Sequence, residues 1–284
     1  MRRLLTAAAA ALALAAPTAA RAATPSGWLT YGGGSARTSS TGPVATAALA
    51  GGWTLPLDGR VVGQPLAVRD VPAAGALTVY AATSGGGVYA VAPNGYVRWR
   101  VDLGQLALAS PCPQMDGWGV TGTPVADPAS GALYVADAFG RLHALDLADG
   151  TELAGWPVRI FAGYTREQVW GALTLVRGSV YVPTASICDR PVEGELVRVA
   201  LASRAVSRWI AVPRRLGGGG GIWGFGGAAY SRSRNSLFVA TGNAFGGGER
   251  HESAGYGEQL VELSPELRVR AASHPRDVRE PRDL

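Results

Sequence analysis

One phrase, written four times, constrains this chain more than any single residue. It is an apolar strand, a turn and a second strand, with a Trp following in three of the four copies. Val88-Tyr89-Ala90-Val91 leads to Trp99, Leu142-His143-Ala144-Leu145-Asp146 to Trp156, and Leu196-Val197-Arg198-Val199 to Trp209. Leu260-Val261-Glu262-Leu263 has no Trp behind it. Tyr89 to His143 is 54 residues, His143 to Val197 is 54, and Val197 to Val261 is 64. A period of this length means one supersecondary unit used repeatedly. The unit is all β, so the expected architecture is a β-propeller with one four-stranded antiparallel blade per repeat.

Alternation in Val97-Arg98-Trp99-Arg100-Val101 fits a half-buried strand, and Pro93-Asn94-Gly95 fits the turn before it. The blades are expected at about 64–104, 122–160, 170–213 and 223–273. Tight turns are expected at Arg177-Gly178 and Ser233-Arg234-Asn235. Trp99, Trp156 and Trp209 are expected to pack between blades. Upstream, Trp53-Thr54-Leu55-Pro56-Leu57 reads as the outer, Trp-bearing strand of a further blade, an N-terminal closing strand without its three partners. The expectation is about four blades of an incomplete seven- or eight-bladed propeller, because an unclosed ring exposes strand edges. The alternative is a closed small propeller with the Trp53 strand as a lid.

Residues 1–22 read as a secretory signal peptide. Arg2-Arg3 is the charged region, Leu4 to Ala16 the apolar one, and Ala20-Arg21-Ala22 the cleavage site. The remainder, 23–284, is expected to be one propeller domain, secreted or extracytoplasmic, without a membrane span, and monomeric. All 26 basic residues are Arg. Losing the leader leaves 23 basic against 21 acidic residues, a net charge of +2, which argues against a nucleic-acid partner. Charged residues are only 17% and Gly is 40 of 284, a turn-rich globular composition. Cys112 and Cys188 are an even number in an oxidising compartment, hence either one disulfide or two unpaired thiols.

The phrase Leu142-His143-Ala144-Leu145-Asp146-Leu147-Ala148-Asp149-Gly150 resembles the strand–turn signature of the pyrroloquinoline-quinone (PQQ) repeat propellers. Trp28-Leu29-Thr30-Tyr31-Gly32-Gly33 is similar to that family's opening segment. The resemblance spans residues 28 to about 275 and includes both quinoprotein dehydrogenases and non-catalytic scaffolds. Gly220-Gly221-Ile222-Trp223-Gly224 followed by Val239-Ala240-Thr241-Gly242-Asn243-Ala244 resembles the quinoprotein alcohol dehydrogenases more narrowly. The resemblance implies that Trp223 is the floor beneath a quinone ring and that Asn243 ligates Ca²⁺. It implies a Glu ligand near Glu193 or Asp189 and a general-base Asp at or near Asp283. An aromatic face suits a flat ring, and an amide oxygen suits Ca²⁺. Equally, Thr241-Gly242-Asn243 reads as a strand-ending turn and Trp223 as packing. Glu193 lacks the family's Gly-Arg-Gly context, the adjacent cysteine pair is missing, and no C-x-x-C-H offers a haem site.

The histidines His143, His251 and His274 lack metal-ligand spacing. Gly217 to Gly221 has no Lys-Ser/Thr after it, so a flexible loop is expected there and not a phosphate cradle. Two functions are carried forward: a secreted scaffold binding a protein or small molecule, and a dehydrogenase using PQQ and Ca²⁺, or a portion of one.

Overall fold

The computed structural model describes residues 26–40, 52–107, 117–163, 166–186, 192–245 and 254–274. The leader, Cys112, Cys188, Asp189, His251 and Asp283 lie outside these residues.

After a short strand β1 (Ser26–Trp28), the chain makes four antiparallel sheets in sequence order. Blade 1 is β2 (Leu66–Val71), β3 (Gly75–Ala82), β4 (Gly87–Val91) and β5 (Val97–Asp102). Blade 2 is β6 (Val125–Asp127), β7 (Ala132–Ala136), β8 (Arg141–Asp146) and β9 (Val158–Arg159). A two-stranded ladder of β10 (Glu167–Gln168) with β13 (Ala185–Ser186) flanks blade 3. That blade is β11 (Thr174–Val176), β12 (Ser179–Pro183), β14 (Glu195–Ala200) and β15 (Val206–Ile210). Blade 4 is β16 (Ala229–Ser231), β17 (Ser236–Ala240), β18 (Leu260–Leu263) and β19 (Val269–Ser273). The first strands of successive blades lie against one another, β2 on β6, β6 on β11 and β11 on β16, so they surround a common axis. This is the expected all-β propeller, here an open arc of four blades.

The corners show why the repeat folds alike each time. A side-chain oxygen at the end of each second strand accepts the N–H that opens the third. Thr83 does so for Gly87, Asp137 for Arg141, Thr184 for Glu195 and Thr241 for Gln259. In the first two corners the bond spans four residues, a local closure that short polar side chains make readily; in the other two it spans 11 and 18 and ties together the ends of a longer excursion. The β11–β12 hairpin turns on Arg177 and Gly178, both at positive φ, as a two-residue turn of this hand requires.

Apolar residues on facing blades form three clusters, one per interface. Fully burying each Leu- or Val-sized side chain contributes about 1.5–3 kcal/mol. Polar tips add register. Tyr80 Oη donates to Leu147 O at 2.7 Å, and Tyr181 Oη donates to Pro265 O at 2.7 Å, each in the next blade's outer turn. Trp99 Nε1 donates to Leu147 O at 3.2 Å, and its ring covers Gly150. Trp53 repeats that contact one blade earlier: Nε1 donates to Pro93 O at 2.7 Å and the ring covers Gly95. Residues 52–60 form no strand, yet Trp53 occupies the outer Trp position expected of a preceding blade.

The opening segment threads the axis. β1 pairs with the free edge of β2. Leu29 O then accepts Ala126 N–H of β6, Thr30 Oγ1 donates to Leu173 O beside β11, and Ser35 O accepts Tyr230 N–H of β16. One stretch of chain thus touches the innermost strand region of all four blades.

Candidate functional site: an aromatic mouth around Trp223

Three extended segments lie side by side at one end of the arc. The middle one is the five-glycine run. Gly219 bridges to Glu193 on one side and to Ala244 on the other. Gly219 N–H donates to Val192 O at 2.6 Å, Gly220 N–H to Asn243 O at 2.8 Å, and Phe245 N–H to Gly218 O at 2.8 Å. The run is therefore a hydrogen-bonded central segment and not the free loop expected from composition. Glycine is required here. Gly217, Gly218, Gly219 and Gly220 all have positive φ, and a Cβ on Gly219 would sit 2.5 Å from Asn243 O.

Trp223 is half-buried above this surface. A Cβ on Gly221 would lie 2.8 Å from its Nε1, and one on Gly242 would lie 2.9 Å from its Cδ1. The indole thus rests on two residues that have no side chain. Its neighbours are also indoles. Trp170 is 6.1 Å from Trp223 between ring centroids, and Trp118 is 5.2 Å from Trp170, edge to face. Trp118 is only 2% exposed, Trp170 is half-buried with its Nε1 donating to Ser186 O, and Phe225 next door is 55% exposed. Tyr31 of the axial segment lies close to Gly226, three residues after Trp223.

Trp118 and the grouping of all three indoles escape a reading of the strand phrase, because they precede the inner strands. A signal was present. Each is followed by Gly, in Trp118-Gly119, Trp170-Gly171 and Trp223-Gly224, at spacings of 52 and 53 residues.

Asn243 is exposed, with its backbone oxygen engaged by Gly220. Glu193 is elsewhere. Its Oε1 accepts the Arg214 N–H at 2.8 Å and its Oε2 lies 3.7 Å from Arg214 Nε, which caps the short turn Arg214–Leu216. With Gly219 between them, the two backbones are two strand spacings apart, roughly 9–10 Å. Among the described residues no three His, Cys, Asp or Glu side chains gather as a metal group. Ca²⁺ takes six to eight oxygens. Glu193 and Asn243 would be two of that number, and the part-open face of Trp223 is of the kind that suits a flat ring. Thr241 is a corner residue, bonded to Tyr256 O and Gln259, so it belongs to the fold. His274 is exposed at the end of blade 4.

A second polar cluster lies beside the mouth. Glu167 is 9% exposed, and burial pushes its carboxyl up to about 7, with the charge of Glu195 adding to the shift. Glu195 is likewise raised by burial, against the pull of Arg208 at 3.2 Å.

The fold and mouth define an open β-propeller built of four-stranded blades. Solved structures agree. The quinohemoprotein alcohol dehydrogenase from Comamonas testosteroni superposes with a TM-score of 0.67 at 21% identity, over 87% of this chain and 41% of its own. The quinohemoprotein alcohol dehydrogenase ADHIIG from Pseudomonas putida HK5 gives 0.68 at 19%, over 87% and 40%. A europium-containing methanol dehydrogenase gives 0.52 at 16%, over 75% and 40%. This chain therefore spans about two fifths of those proteins' length. At these identities the likeness establishes the fold. No protein-family model and no curated protein matches the sequence. Among the described residues no helix is long and apolar enough to cross a membrane.

Proposed function

We propose that this chain is an extracytoplasmic binding propeller whose aromatic mouth engages a small molecule or a protein side chain, without redox chemistry of its own. The observation that carries this reading is the engagement of Glu193 by Arg214, which takes up the carboxylate that the alternative would need as a metal ligand. The indole of Trp223, in contrast, is laid out on glycines with part of its face open.

The second reading is a PQQ- and Ca²⁺-dependent alcohol dehydrogenase, or a portion of one, with Trp223 beneath the quinone, Asn243 and Glu193 as metal ligands and Asp283 as base. The contact of Trp223 with Gly242 of the Thr241-Gly242-Asn243 segment favours it, as does the similarity to quinohemoprotein folds. The test is a titration of the 284-residue chain with PQQ, with and without Ca²⁺. Trp fluorescence and dye-linked ethanol oxidation are followed together. The scaffold reading expects no oxidation and no Ca²⁺-dependent quenching. Ca²⁺-dependent quenching that disappears in both Trp223→Ala and Asn243→Ala would replace it with the second.

A further inference from the structure

A cavity of about 540 Å³ opens between the N-terminal segment and blade 1, remote in sequence from the Trp223 mouth. Small-molecule sites run to roughly 300–1,000 Å³. Trp28 forms one wall. Its Nε1 donates to Gln64 Oε1 at 2.9 Å, and the same oxygen accepts the Gly32 N–H at 2.9 Å. The ring lies against Gly33, where an added Cβ would be 3.5 Å from Cε3. Wall and turn are therefore fixed before anything binds, which lowers the ordering cost of binding.

The facing wall comes from blade 1. Ala67 and Arg69 stand two residues apart on β2 and share a face, and Leu77 of β3 pairs with Arg69 across the ladder. Gly27 lets β1 close this wall: a Cβ there would be 2.1 Å from Ala67 O. Arg69 is exposed and has no carboxylate partner among the described residues. Thr38 and Ser40 add hydroxyls to the lining, and no described lining residue is acidic.

The geometry points to a binding site for a small organic anion with a flat apolar body, its carboxylate on Arg69 and its ring between Trp28 and Leu77. A guanidinium pairs a planar carboxylate through two parallel N–H bonds, and Thr38 and Ser40 can donate to the same oxygens. The indole, held over the Gly33 turn on one side, offers stacking area to the body on the other. This site does not depend on the reading of the Trp223 mouth.

Isothermal titration of the full chain tests it with benzoate, benzamide and inorganic phosphate. Benzoate is expected to saturate one site and benzamide, of the same shape without the charge, to bind roughly ten-fold more weakly. Arg69→Gln should weaken benzoate by about the same factor and leave benzamide unchanged. Trp28→Leu should weaken benzoate several-fold and leave phosphate unchanged. Arg69 is on the surface, so a thermal melt matching the parent's shows that the variant is folded. Benzoate that fails to bind, or that binds Arg69→Gln as tightly as the parent, overturns the site. Phosphate binding as tightly as benzoate, with Trp28→Leu silent for both, overturns the flat-bodied ligand and leaves a bare oxyanion contact.

Discussion

A histidine held between two carboxylates ties blade 2 to its own outer turn. His143 Nδ1 lies 2.5 Å from Glu152 Oε2, and Nε2 lies 3.2 Å from Asp137 Oδ2, which also takes Arg141 Nε at 2.6 Å. Both ring nitrogens donate only in the imidazolium form. Burial pulls the His143 pKa down, but the bonds to Asp137 and Glu152 and their charges outweigh it and raise the value. Burial likewise lifts Asp137, and its bonds to His143 and Arg141 bring it below the usual range. A raised histidine contributes stability fully below its unfolded pKa of about 6.5 and loses it as pH rises through the folded value. The lowered Asp137 contributes above about pH 3.9 and fades as pH falls through its folded value. His143→Gln should therefore cost about 1–3 kcal/mol at pH 6 and less at pH 9, read from denaturant midpoints at both pH values. Glu167 shares the pH direction of His143 but is a liability where His143 is an asset, because its charged form is buried. With a folded value of about 7 against an unfolded 4.5, the native state weakens as pH climbs between them and stays weakened above. Glu167→Gln should be neutral near pH 4 and stabilising by about 3 kcal/mol or less at pH 8, in the same denaturant series. The sequence marks His143 as a packed or hydrogen-bonded residue of a strand phrase, and it is both, but its partners were not legible. Its partners Asp137 and Glu152 sit six positions before and nine after it, and only the hairpin brings them to both nitrogens.

Two outer turns are covered by a Trp that comes one repeat earlier in the chain, Gly95 by Trp53 and Gly150 by Trp99. Trp99 covers Gly150, whose φ is +78° and whose added Cβ would be 2.8 Å from Trp99 Cε3. Gly131 has a similar φ of +73° but open space around it. Gly131→Ala should cost about 1 kcal/mol, the left-handed penalty alone. Gly150→Ala carries the same penalty plus displacement of a packed indole, about 1–3 kcal/mol more. Thermal denaturation of the two variants side by side checks this, and equal losses would mean that the Trp99 contact contributes nothing. This layer was the most legible one. The 54-residue period, the turn glycines and the role of Trp99, Trp156 and Trp209 follow from alternation and turn chemistry, which are local. The five-glycine run was less so. Composition alone suggests mobility, while its actual place depends on Val192 and Asn243, far along the chain, accepting its N–H groups.

In the whole molecule, blade stability in a repeat array is carried by neighbour interfaces, yet here a single N-terminal stretch reaches all four blades. Arg37 fastens it. Its Nη1 donates to Thr30 Oγ1, Tyr31 O and Gly34 O, and its Nη2 to Ala172 O, Leu173 O and Thr174 Oγ1. Burial pulls its pKa down to about 10, which leaves it charged at neutral pH. Its Nε is buried without a partner, and every acceptor is a neutral oxygen. A charge so enclosed is stable only while those oxygens stay aimed at it, so axial segment and inner strands hold one another in place. The sequence shows Arg37 only as one basic residue after three glycines; its partners beside and in blade 3 are 135 to 137 positions away. Arg37→Ala should release the segment and cost about 3–5 kcal/mol. The loss should appear first in hydrogen exchange at Ala126 and Tyr230, whose N–H groups bond to Leu29 O and Ser35 O in blades 2 and 4. Amides inside blade 2, such as Tyr134, should follow only when the whole arc opens. Faster exchange at Ala126 and Tyr230 with Tyr134 unchanged would identify the segment as a tether across separately stable blades. A uniform rise at all three would mean that the arc and its axial segment fold as one cooperative unit.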